Sequence, residues 1–188
     1  MNPGYSSERN QKGITHMEAL VKMAKAHDKE AFAELIRQQE SSMYKVARAI
    51  LGNDEDAADA MQEALLICWQ KIGTLQKEQY FKTWLTRILI NQCYDIRAAG
   101  KRLVSSELMV ETGKEDAAIR RAEWMELLSH LEDKHRIVLV LYYGEGFKVR
   151  EIAKILELKE TTVKDRLVAA RKSVEKMLKA EVAEYGTV

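Results

Sequence analysis

Residues Val149 to Arg171 read VREIAKILELKETTVKDRLVAAR. Ile152, Ala153 and Leu156 mark the inner face of one short helix, and Val163, Leu167, Ala170 and Val174 recur every three or four residues on a second. A small Ala153 stands where two helices would cross, a break follows four residues later, and a β-branched Val163 follows ten residues later. That spacing fits a helix-turn-helix, whose second helix enters the DNA major groove. Lys164, Asp165, Val168, Arg171 and Lys172 fall on the outer face of that helix. The turn position often held by glycine is Glu157, a residue that tolerates a left-handed backbone poorly. The plain alternative is a helical hairpin with a solvated charged face.

The chain has 188 residues, room for one large or two small domains, and 46% hydrophobic with 31% charged residues places it among folded globular proteins. One proline and nine glycines favour long helices over a many-turned β fold. The formal net charge is only +1, so affinity for nucleic acid must come from local patches. One such patch runs from Lys164 to Lys179, with six Lys/Arg against Asp165 and Glu175. Cys68 and Cys93 are too few for a disulfide scaffold or a zinc site and read as buried, reduced thiols. With no membrane-length apolar run and no signal-peptide core, a cytoplasmic protein without direct membrane insertion is expected.

Residues 1–16 are polar and aperiodic and read as a disordered extension, with Met17 able to serve as a start. Helices are expected from about 17 to 26, from 28 to 51 with Asp28 as N-cap, and from 54 to 72 after a Gly52–Asn53 break. The third should bury Ala57, Met61, Ala64, Leu65, Cys68 and Ile72. A polar loop, 74–80, precedes a fourth helix from about 81 to 99, with Trp84, Leu85, Ile88, Leu89, Cys93 and Ile96 on its apolar side. Composition shifts between Gly100 and Asp116, which sets a first domain at 17–100, a linker at 101–116 and a second domain at 117–188. In the second domain, helices at 117–131 and 133–143 and a Gly144–Gly146 turn lead into the helix-turn-helix.

Three stretches in this order resemble the extracytoplasmic-function (ECF) class of bacterial RNA polymerase sigma factors, in the sigma-70 family. DAADAMQEALLICWQKI is similar to the family's acidic helix with a D-x-x-Q-E core, here Asp59, Gln62 and Glu63. YFKTWLTRILINQCYDIRAAGKR matches the F-x-x-W-L-x-R-I-x-x-N-x-x-x-D pattern of the promoter-melting region, and residues 131–178 are similar to the carboxy-terminal domain. The resemblance implies an all-α chain of two small helical domains, σ2-like and σ4-like, joined by a flexible linker. It also implies binding to core RNA polymerase (β′ clamp, β flap) and to promoter DNA, no catalysis, and an anti-sigma factor, often membrane-anchored, that holds the protein inactive until a stress signal.

The resemblance assigns Asp59, Gln62 and Glu63 to the polymerase, where acidic and amide groups can meet arginines in charge-assisted hydrogen bonds. It assigns Tyr80, Phe81, Trp84, Arg87, Asn91, Asp95, Arg97, Lys101 and Arg102 to the −10 element. Base extrusion needs a pocket and stacking surface, and the basic residues would hold phosphates. Phe81 and Trp84 read first as core anchors and second as stacking surface. Asn91 is the better direct contact, because a helix interior gives little reason to choose asparagine. Asp95 reads equally as a cap or an arginine partner. For the −35 element the assignment is Lys164, Asp165, Arg166, Val168 and Arg171, with Thr161 and Thr162 near phosphate at a helix start. Asp165 would accept from a cytosine amino group or pair with a neighbouring base, and Arg166 reads equally well as facing the protein.

No cofactor is expected, since His16, His27, His130 and His135 lack metal-ligand spacing and GEGF at Gly144 lacks a phosphate loop's lysine and serine. Two other readings stay open on the residues alone. One is a dimeric helix-turn-helix regulator with residues 28–100 as a ligand or dimerisation domain. The other is a helical interaction protein insensitive to changes at Lys164 and Arg171.

Overall fold

The computed structural model describes residues 16–100 and 127–185, the side chains as far as 179, and these residues contain helices and no strand. The expected linker and residues 1–15 lie outside the described residues, whereas His16 begins the first helix, α1 (16–25). His27 at φ 65° reverses the chain into α2 (Lys29–Leu51), whose N-cap Asp28 accepts from the Ala31 amide at 2.9 Å. Gly52 at φ 82° ends α2 with its amide on the Arg48 carbonyl, and Asn53 caps α3 (Asp54–Lys71) by accepting from the Asp56 amide at 2.8 Å. The expected boundaries therefore form for the expected reasons. Two short 3₁₀ turns carry the chain to α4 (Phe81–Gly100).

Helices α1 to α4 share a core in which Leu35, Val46, Phe81, Leu85 and Leu89 are buried. The face of α3 differs slightly from the expected one: Ala57, Ala60, Ala64 and Cys68 are fully buried, while Met61 and Leu65 flank the seam. Small side chains at three- and four-residue spacing let neighbouring backbones approach, so the alanines, not the larger residues, centre the contact. On α4 the core face is Phe81, Leu85, Leu89, Ile90 and Cys93, and Trp84, Ile88 and Ile96 sit at its edge. The α2–α3 junction is fixed by Asp54, which takes Arg48 Nε at 2.6 Å and the Tyr44 hydroxyl at 2.7 Å. Burial, then the Asp54 carboxylate, raises the Tyr44 phenol above its ordinary pKa.

In the second half, α5 (Asp133–Leu139) runs into a π-turn over Val140–Gly144. There the Glu145 amide bonds to the Val140 carbonyl at 2.9 Å and Phe147 to Leu141 at 3.0 Å, and Gly146 turns the chain at φ 72°. α6 (Val149–Ile155) and α7 (Glu160–Tyr185) follow, with Ile152, Ile155, Val163, Leu167 and Ala170 buried as expected. Glu157 does adopt the left-handed conformation, at φ 55°. The Leu158 amide returns to the Ala153 carbonyl at 2.9 Å and Leu156 to Ile152 at 2.9 Å, the closing pattern of a helix C-terminus. The helix-turn-helix is thus present with a glutamate in its glycine position.

The two halves touch. Glu145 reaches Ser42, Lys45 and Lys82 of the first domain, and the cationic head of Lys82 lies 4.8 Å from the centre of the Phe147 ring. Arg87 pairs with Glu157, and Arg97 with Asp133. No described helix is long and apolar enough to cross a membrane.

Replacing Glu157 with glycine should relieve the left-handed backbone by about 1–2 kcal/mol. The exposed ion pair it gives up is worth about 0–1 kcal/mol. A raised urea midpoint is expected, and a lowered one would mean that the Arg87 contact outweighs the backbone. Burial also pushes the Cys68 and Cys93 thiols from 9.0 up to about 12. Both should therefore resist a thiol reagent at pH 8 until the chain is unfolded. Because the unfolded chain releases these protons first, the stabilisation is complete below pH 9 and is lost as pH rises toward 12. Prompt labelling of native protein at pH 8 would refute this.

Candidate polymerase and promoter-DNA surfaces

Asp59, Gln62 and Glu63 all lie on the exposed face of α3, one turn apart. The alanine seam explains the placement, because residues opposite Ala57, Ala60 and Ala64 must point to solvent. Leu66, 58% exposed, continues the edge. An acidic and amide strip beside an unburied leucine offers hydrogen-bond acceptors and apolar area together. The sequence pattern marked the polar members and passed over Leu66, because a leucine in an apolar stripe reads as core.

Trp84, Arg87 and Asn91 meet in one pocket of about 240 Å³ between α3 and α4, completed by Ile67, Lys71, Ile88 and Gln92. It has an aromatic wall, aliphatic flanks, two cations at the rim and two side-chain amides, and is large enough for a planar heterocycle. Ile67, Lys71 and Gln92 are members that sequence reasoning missed, and Ile88 is one it read only as part of the apolar side of the helix. Helix periodicity places each on its own helix but does not show that α3 and α4 open a gap there.

Tyr80 stands outside the pocket, 40% exposed, on a loop tied to α1 by Lys25, which donates to the Leu75 carbonyl at 2.8 Å and to Glu78 at 3.1 Å. The backbone amide of Glu78, then Lys25, holds that carboxyl below its usual range. Phe81 is corrected here: it is fully buried, its ring 6.3 Å from that of Trp84, so it anchors the core and offers no face to a base. Asp95 is exposed, and Arg97 pairs with Asp133. Lys101 and Arg102 lie outside the described residues.

Along α7, Thr161, Lys164, Asp165, Val168 and Arg171 are exposed, and Thr162 is half-buried. Arg171 is held: its Nε donates to the Tyr143 hydroxyl at 2.7 Å, and its guanidinium lies 5.5 Å and 5.9 Å from the centres of the Tyr143 and Tyr142 rings. The π-turn presents these two tyrosines, which sequence reasoning missed, because a π-turn has no short sequence signal. Arg166 is half-buried, unlike the exposed Lys164 and Asp165 before it. It lies within electrostatic reach of Tyr94 on α4, whose phenol is raised by burial and lowered in part by Arg166 and Arg97. No group of three or more His, Cys, Asp or Glu able to hold a metal occurs among the described residues.

Comparison with known proteins agrees with this geometry. The sigma-70 region 2 family matches residues 35–103, and the sigma-70 region 4 family matches residues 121–174. The chain is 28% identical over 180 residues to the ECF RNA polymerase sigma factor SigM of Mycobacterium tuberculosis, covering 88% of each chain. It is 27% identical over 178 residues to the ECF RNA polymerase sigma factor SigW of Bacillus subtilis, covering 85% of this chain and 95% of the relative. Its fold is similar to that of the sigma factor RpoE, solved with the anti-sigma factor NepR from Bartonella quintana. That likeness has a TM-score of 0.69 at 22% identity and covers 79% of this chain and 96% of the other. With both regions in order and matching relatives along nearly their whole length, the chain belongs to the sigma-70 family, in its extracytoplasmic-function class.

Proposed function

We propose a division of labour among these surfaces within the work of a sigma factor, which binds core RNA polymerase and directs it to promoters. The α3 edge of Asp59, Gln62 and Glu63, with Leu66, docks on the polymerase β′ clamp. The pocket of Trp84, Ile88 and Asn91 receives an extruded base of the −10 element. Tyr80 adds stacking surface, and Arg87, Arg97, Lys101 and Arg102 hold phosphates. The observation that carries the proposal is the meeting of Trp84 and Asn91 in one pocket, away from the core face of α4. Placing an amide and an indole at the edge of a packed helix gives up burial that the fold would otherwise gain, and a base offers both of them a partner.

On α7, Lys164, Asp165, Val168 and Arg171 form the reading face for the −35 element, with Thr161 and Thr162 at the phosphate, while the second domain meets the β flap. Arg166 is left out of that face because it is half-buried. Tyr142 and Tyr143 act as positioning residues, presenting Arg171 in one orientation. Like the RpoE relative, the factor would be held by an anti-sigma factor that covers these faces until a stress signal. The chain then acts in the cytoplasm, whether or not that partner is anchored in the membrane.

Run-off transcription with core polymerase on pooled genomic promoters tests the proposal. Specific transcripts should require the protein. The combined change Asp59→Ala, Gln62→Ala and Glu63→Ala should weaken core binding by at least about tenfold, since each charge-assisted bond contributes roughly 1.5–3 kcal/mol. Transcripts unaffected by that variant would remove α3 from the polymerase interface. Asn91→Ala should reduce open-complex formation by about tenfold while initial docking holds, in line with roughly 1–3 kcal/mol for a base-edge contact. Equal loss at both stages would make Asn91 structural.

A further inference from the structure

The contact between the two domains is built around one carboxylate. The Glu145 side chain is 5% exposed, although it sits on a surface turn. Ser42 Oγ donates to Oε2, Lys82 Nζ stands 3.5 Å from the same oxygen, and Lys45 Nζ stands 3.7 Å from Oε1. Lys82 also donates to the Glu145 carbonyl at 3.0 Å, with its ammonium 4.8 Å from the Phe147 ring centre. Around this point, three groups of the first domain engage the second: Arg87 with Glu157, Arg97 with Asp133, and Tyr80 beneath Lys154 at 5.3 Å. All three are among the residues that the preceding reading assigns to the promoter strand.

From this coincidence we propose that the Glu145 turn is an internal latch, which docks on the Ser42–Lys45–Lys82 socket and holds the chain closed with Tyr80, Arg87 and Arg97 occupied. The proposal rests on the reading of Tyr80, Arg87 and Arg97 as strand contacts. Its energetics suit a latch that opens. A buried carboxylate loses hydration, and its partners must offset that loss. Glu145 Oε1 has no hydrogen bond, because Lys45 stands beyond bonding distance. The surrounding ion pairs are largely exposed and individually weak. The charged part of the contact therefore contributes only a small margin, which salt should reduce. A polymerase or DNA surface that competes for the same cations would open it without unfolding either domain. The socket also supplies the counter-charge that a single acidic side chain of the second domain needs, which makes the pairing specific to this turn.

The test uses the full chain and two readouts. Small-angle scattering reports whether the domains are together. Binding of a fluorescent mixed-sequence DNA strand of about 12 nucleotides reports whether the first domain's contacts are free. Glu145→Lys should enlarge the radius of gyration at low salt to the value that wild type reaches at high salt. It should also tighten strand binding by about tenfold, the factor expected if some nine-tenths of the chains are closed. Lys82→Glu combined with Glu145→Lys should restore both, since the charges are exchanged across one contact. Glu145→Gln, checked by circular dichroism, covers the case in which the lysine variant fails to fold. A radius unchanged by charge reversal and by salt would overturn the latch. Opening with no gain in strand binding would overturn the masking. Run-off transcription by wild type is scored separately, so a true sigma factor without a latch is distinguished from a chain that is no sigma factor.

Discussion

The first domain depends on how closely α3 can approach its neighbours. Ala57, Ala60 and Ala64 bury no long side chain, so the stabilisation at this seam comes from close backbone packing and from the larger residues of α2 and α4 that meet over it. A bulkier residue at Ala60 would have to push the helices apart, at roughly 1–3 kcal/mol for an overpacked core. The same seam fixes the rotation of α3 and so decides which residues face outward. The exposure of Asp59, Gln62 and Glu63 follows from the buried face rather than from their own polarity. A small rotation of α3 would carry Glu63 toward the core and close the pocket that Ile67 lines.

Between the domains the balance is different. Apolar burial holds each half together, and the contact between them adds ions and hydrogen bonds at Glu145, Glu157 and Asp133 to the packing of α2 and α4 against the second half. Apolar contacts strengthen roughly with area and are insensitive to salt, while exposed ion pairs are weak and screened. Salt should therefore weaken the charged part of the contact between the halves more than either core. That separation of energies is what a protein needs if it must present two distant DNA-reading surfaces to one large partner.

Much of this was legible in the sequence. Asp28, Gly52 and Asn53 announce their helix ends, because caps are local interactions between residues a few positions apart. The spacing from Ala153 to Val163 gave the helix-turn-helix, and its doubtful Glu157 proved to be left-handed after all, held by bonds from residues on either side. What periodicity left open was non-local. It could not rank Ala60 above Met61, because both lie near the same stripe and only the neighbouring helix decides between them. It left Phe81 with two readings, which burial resolved toward the core. It gave no hint that Tyr143 would hold Arg171, since those partners are brought together by a π-turn.

Glu157 links these levels. Glycine would fit its backbone better, and a left-handed glutamate carries a cost of about 1–2 kcal/mol. Unlike glycine, it provides a carboxylate that reaches Arg87 from the turn of the DNA-reading motif. That turn sets the angle between α6 and α7, so the residue that shapes the reading head is also one that docks it on the first domain. When the domains part, Arg87 and Glu157 are released together, one at the rim of the Trp84–Asn91 pocket and the other at the approach to α7. On the proposed reading of Arg87 as a phosphate contact, Glu157 and the strand compete for one guanidinium. The side chain therefore supports the contact between the halves, which gives a physical reason for a glutamate at a position whose backbone favours glycine.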